Sequence, residues 1–117
     1  MGKFTVDSEF WALFPEARLD VLIVKNINNQ NNEDSPGYFS RLLSSAAQEA
    51  ASHLTEETFS QNRVVEEWRQ AFGKFKTKKG ARSSIEALLK RVNQGREFTP
   101  INPLVDIYNS ISLKYAV

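Results

Sequence analysis

RLDVLIVKNI, residues 18–27, is the stretch on which the fold turns. Its centre, Val21-Leu22-Ile23-Val24, is an unbroken apolar run. The run is short, rich in β-branched residues and bounded by polar side chains. Those features predict a strand buried on both faces. Such a strand needs neighbours on each side. The only other strand candidate is KFTV, residues 3–6, and a two-stranded sheet is marginal by itself. The sheet is therefore expected to hold strands that the pattern does not reveal, or to be completed from outside this chain. A second copy or a missing C-terminal half would serve.

The rest of the chain reads as helices. Ser8 can cap a brief helix, EFWALF, which Pro15 closes. NNQNNEDSPG, residues 28–37, has the composition of a mobile loop. Phe39, Leu42, Leu43, Ala46 and Ala50 then share one helical face, and the alanines permit close packing against a neighbour. Another helix begins near Ser60, with Val64, Val65, Trp68, Phe72 and Phe75 as its stripe and Gly73 ending or bending it. In SSIEALLKRV, Ser83 and Glu86 have capping-box spacing, and Glu86 and Lys90 stand at i, i+4. Ile85, Leu88, Leu89 and Val92 form the apolar face, and Gly95 stops the helix. The closing helix, INPLVDIYNSISLKY, takes Asn102 as N-cap and Pro103 at its first position. Leu104, Ile107, Tyr108, Ile111 and Tyr115 fall on one face, with Asn102, Asp106 and Asn109 opposite. An ordinary surface helix carries two such faces. Together these elements predict a single mixed α/β (α+β) domain over 1–117, helix-rich and with few strands.

Length and composition bound the function. A chain of 117 residues with 41% apolar content can build one core. With no cysteine there is neither a disulfide framework nor a thiolate metal site, which fits a reducing cytosol. No segment approaches the ~20 apolar residues of a membrane span, and the start of the chain lacks a signal-length apolar run. A cytoplasmic protein with no membrane partner is expected. The net charge of +1 conceals an asymmetry: residues 63–96 hold ten Lys/Arg against three acids (+7), and the remainder holds five against eleven (−6). A basic block raises the expectation of a polyanionic partner, although KFKTKKGAR also suits a solvated loop. Arg69, Lys78, Lys79, Arg82, Lys90 and Arg91 are the candidates for phosphate contacts, which need charge more than shape. Trp68, Phe72 and Phe75 could stack on bases, but their helical spacing favours core packing. The only histidine, His53, has no cysteine to partner, and no phosphate-loop spacing is present. Metal and cofactor sites are not expected.

Two stretches carry a family resemblance. SSIEALLKRVNQGREFTPINPLVDIYN is similar to a segment in the beta subunit of bacterial phenylalanyl-tRNA synthetase, where a basic helix end runs into R-P-I-N-N-V-V-D-V-T-N-Y; the counterpart here is Thr99–Asn109. That segment belongs to the B-three/B-four domain, a tRNA-editing module. The chain resembles the stand-alone bacterial members more closely. Their W-R-x-x-(F/Y)-x-x-F is matched at Trp68, Arg69, Phe72 and Phe75, and their R-S-S-I-E-A-L at Arg82–Leu88. Their I-N-x-L-V-D-x-Y-N-x-x-S-L-K-Y is matched through Tyr115. The likeness spans about residues 3–117 and is specific from 68 onward.

The resemblance implies a mixed α/β domain whose cleft accepts the aminoacyl end of a mischarged tRNA. It also implies metal-free ester hydrolysis, with a placed water and a stabilised oxyanion. Asn109, Asp106 and Asn102 are then the substrate-pocket candidates: Asn109 to orient polar groups, Asp106 to anchor a loop or helix end. Family members continue past this point into a strand-rich half, so the chain is expected to be the N-terminal half of a longer domain. Whether it is itself an enzyme, an aminoacyl-tRNA deacylase, is left open. Two alternatives stand beside it: a non-catalytic tRNA or small-ligand binding module, and a helical domain that docks an acidic protein.

Overall fold

The computed structural model describes residues 2–30, 37–74 and 80–117. All regular structure among them is helical: α1 (Ser8–Leu13), α2 (Tyr38–Ala50), α3 (Arg63–Phe72), α4 (Ser84–Asn93) and α5 (Pro103–Tyr115). Two 3-10 turns, Ala51–His53 and Phe59–Gln61, join α2 to α3. The expected α/β (α+β) fold is thereby overturned, since no strand occurs among the described residues. Residues 3–6 and 18–27 carry no regular structure, and Val21–Val24 are exposed rather than buried on two faces. The reason is the lack of a partner. A strand is stabilised by its ladder and by covered faces, and among the described residues the 18–27 backbone makes no backbone hydrogen bond. Most of the 28–37 loop, together with Phe75, Lys78 and Lys79, lies outside the described residues.

Local signals explain the helix ends. The Ser83 hydroxyl accepts from the Glu86 N–H at 3.4 Å, which makes half of the expected capping box. The Glu86 carboxylate turns instead toward Arg69 and Arg82; its expected partner Lys90 is not among its contacts. After α4, Gly95 sits at φ +69°. The Arg96 N–H reaches back to the Arg91 carbonyl, closing the helix as a left-handed glycine allows. Asn102 caps α5 by accepting from the Val105 N–H at 3.0 Å, and Pro103 opens the helix.

The core is small. Ala46 and Ala50 of α2, Ile85 and Leu89 of α4 and Leu113 of α5 form it, ringed by partly buried Phe59, Val64, Trp68 and Phe98. The most extensive helix pairing joins α2 to α5. It reverses the expected orientation of α5. Leu104, Ile107, Tyr108, Ile111 and Tyr115, the apolar face, are 48–59% exposed. Asp106, Ser110 and Leu113 are buried, with Asn109 partly so. Those four residues follow i, i+3, i+4, i+7, the spacing of a packed stripe. On α5 it is Leu113 that packs in one cluster with Ala46 and Ala50 of α2. The Ser110 hydroxyl donates to the Ile107 carbonyl at 2.7 Å, so its burial leaves no donor unmatched.

Candidate functional site

The basic residues singled out in the sequence do not form one free patch. Arg69 is bound to Glu86: Nη2 donates to Oε1 at 2.6 Å and Nε to both carboxylate oxygens at 3.2 and 3.3 Å. Glu86 is nearly buried, 8% exposed at its side chain, against 37% for Arg69. The hydrogen bond to Glu86 raises the Arg69 pKa, against a smaller opposing effect of burial. Arg82 adds a second guanidinium, with Nε 3.5 Å from the same oxygen and Nη1 donating to the Ala81 carbonyl. These two arginines hold the α3–α4 junction together. Removing both would leave the nearly buried Glu86 uncompensated, so their first role is structural.

Lys90 and Arg91 differ. Both are exposed in the last turn of α4. Arg91 donates from Nη2 to the Glu97 carbonyl at 2.7 Å, and its guanidinium lies over the Phe98 ring, 5.1 Å from the centroid. That is cation–π range. The turn at Gly95 makes the stacking feasible, because it folds residues 96–98 back beside the end of α4.

The substrate-pocket candidates divide as well. Asn102 and Asp106 are engaged at the start of α5. Asn102 caps the first turn, and Asp106 Oδ1 accepts from the Ile101 N–H at 2.9 Å. Asp106 is fully buried, and Oδ2 has no hydrogen-bond donor among the described residues. Asn109, one turn on, is only partly buried. It lines a cleft of about 350 Å³ with Leu88, Arg91, Phe98 and Thr99. Across Phe98 lies a second cleft of about 450 Å³, between α2 and the 95–98 turn, bordered by Ser44, Gln48, Arg96 and Glu97. The tertiary fold thus brings Arg91 and Asn109 to one cavity, whereas Asn102 and Asp106 face the helix start.

Sequence reasoning missed Phe98, Thr99 and Arg96. A signal existed: Phe98 is the one aromatic between the Gly95 stop and the α5 cap, seven residues after Arg91. His53 is also structural, its Nε2 3.1 Å from the Lys114 carbonyl. Among the described residues no three His, Asp or Glu side chains cluster as metal ligands, and no helix is long and apolar enough to cross a membrane.

Comparisons with protein families, curated proteins and solved structures return no significant match to this chain.

Proposed function

We propose that the chain is an RNA-binding domain that takes the single-stranded acceptor end of a tRNA in the cleft lined by Arg91, Phe98 and Asn109. One observation carries this reading: a stacked Arg91–Phe98 pair and the partly buried amide of Asn109 share one cavity. Single-stranded nucleotides are held in this manner, by stacking on aromatic or guanidinium planes and by hydrogen bonds to base edges. Lys90 and Arg96 stand on the same exposed end of α4 and its turn and would meet phosphates. The resemblance to the B-three/B-four editing module, carried by Arg82–Leu88 and Ile101–Tyr115, supports the choice of tRNA over other polyanions.

Binding is favoured over hydrolysis in this chain. Asp106, the acid of the shared motif, is buried against the Ile101 N–H and lies outside the residues lining the cleft. Deacylation of mischarged tRNA, in trans, would require a water held beside Asn109.

The test measures fluorescence anisotropy of labelled tRNA for phenylalanine, across salt concentrations. Stacking contributes about 1–3 kcal/mol per base, so Phe98→Ala is expected to weaken binding by roughly fivefold to a hundredfold. Arg91→Ala should also weaken it and reduce the salt slope by about one unit. Release of tyrosine from the mischarged tRNA is followed in the same samples. RNA affinity unchanged by both substitutions would overturn the assignment, and turnover lost in Asn109→Ala would add hydrolysis to binding.

A further inference from the structure

Among the described residues two apolar surfaces are uncovered, and one hydrogen bond links the segments that carry them. One is the α5 face of Leu104, Ile107, Tyr108, Ile111 and Tyr115. The other is Val21–Val24, with Leu22 exposed at 86%. The Asn29 carbonyl Oδ1 accepts from the Leu104 N–H at 2.7 Å, which ties the end of the 18–30 segment to the start of α5. With Ile101 included, ten side chains at 48–86% exposure make up the two surfaces. They offer on the order of 1,000 Å² per copy, against ~300–600 Å² for the largest patch on an ordinary monomer. The molecule is also spread out. Its radius of gyration is 16.6 Å and its extents are 48 × 47 × 23 Å, where a compact chain of this length has a radius of about 13 Å.

We propose that this surface is the interface with a second copy of the chain, closed by antiparallel pairing of residues 21–25 across a twofold axis. Three observations select this occupant. The area is of the size a stable dimer needs, ~800 Å² per partner in a standard interface. Among the described residues the 18–27 backbone makes no backbone hydrogen bond, and residues 19–25 include no positive φ before Asn26 at +61° ends the stretch; an unpaired strand template is completed by another strand. The surface is also self-complementary. A twofold through Ile23 sets each Leu22 against Val24 of the second copy and each Val21 against Lys25, so that no like charges meet. Leu19, Val21, Ile23, Lys25 and Ile27 then share one face of the pair and Leu22 and Val24 the other, and the two α5 stripes supply an apolar layer that a two-stranded sheet lacks. Such an isologous interface closes on itself.

The experiment is sedimentation velocity without RNA, over about 1 to about 100 μM, which reaches the weak end of interfaces this size. The expected result is a mass that doubles with concentration and stops there. Ile23→Lys, which places two ammonium groups together at the axis, and Ile111→Glu, on the helix face, should each shift the transition at least tenfold upward in concentration. The helical signal in far-UV circular dichroism should stay unchanged, because both side chains are exposed. The chain has no cysteine, so Ile23→Cys reports the register by forming a disulfide with its own copy, while Glu57→Cys serves as the exposed control. A chain that stays monomeric throughout would overturn the proposal. So would a mass that rises beyond two copies, a dimer indifferent to both charge substitutions, or cross-linking no faster at 23 than at 57.

Discussion

Asp106 shows how a side chain can be important to the fold without being chemistry. Its Oδ1 accepts from the Ile101 N–H ahead of α5, and Oδ2 is buried with no donor among the described residues. Asp106→Ala removes that acceptor and should cost about 1–3 kcal/mol. Asp106→Asn retains the acceptor and shape and is expected to cost less than the alanine. Urea unfolding of both variants checks the order; equal losses would mean that Oδ1 does not anchor the loop. Arg69 makes a similar point for the basic residues. Its contacts with the nearly buried Glu86 mark it as part of the packing. Arg69→Ala is therefore expected to lower stability while leaving the salt slope of tRNA binding unchanged, whereas Arg91→Ala does the reverse. The raised pKa of Arg69 means that its share of stability is complete below the ordinary arginine range and would fade only above it. No pH dependence from this pair is expected near neutrality.

At the scale of the element, α5 carries the main lesson. Two stripes of correct helical spacing run along it, and periodicity alone cannot say which one faces the core. Leu113 is fully buried and Ile107 is about half exposed. Leu113→Ala should therefore cost about 2–5 kcal/mol, while Ile107→Ala changes monomer stability by less than about 1 kcal/mol. Denaturant midpoints in dilute protein distinguish them, and a larger loss at Ile107 would place the apolar stripe inside after all. The α2 side buries Leu43 with Ala46 and Ala50, and the spacing of the two alanines marks that close-packing face. Ala50 is fully buried, so Ala50→Leu should overpack the pair and cost roughly 1–3 kcal/mol. Helix α4 was the most legible element. Its cap at Ser83, its apolar stripe and its stop at Gly95 all lie within a dozen residues, and each acts through local sterics or hydrogen bonds.

At the scale of the whole molecule, charge is segregated along the chain and the shape is open. The +7 block of residues 63–96 is opposed by −6 elsewhere, so RNA affinity should fall steeply with salt although the net charge is only +1. Part of the candidate site was readable from residue type: Arg91 and Asn109 were found by charge and by motif resemblance. Phe98 was not, because its value depends on the Gly95 turn placing it under a guanidinium. Helix positions, caps and stops follow from the sequence itself, since they depend on neighbours within one turn. The sequence also marks residues 21–24 as strand-like, for the run is short, apolar and β-branched. Only tertiary structure decides the remainder. A strand exists when another strand pairs with it, and among the described residues none does. A helix buries whichever stripe its neighbour can approach, and on α5 the stripe of Asp106, Ser110 and Leu113 is the buried one, with Leu113 packed beside Ala46 and Ala50 of α2 and the apolar stripe left exposed.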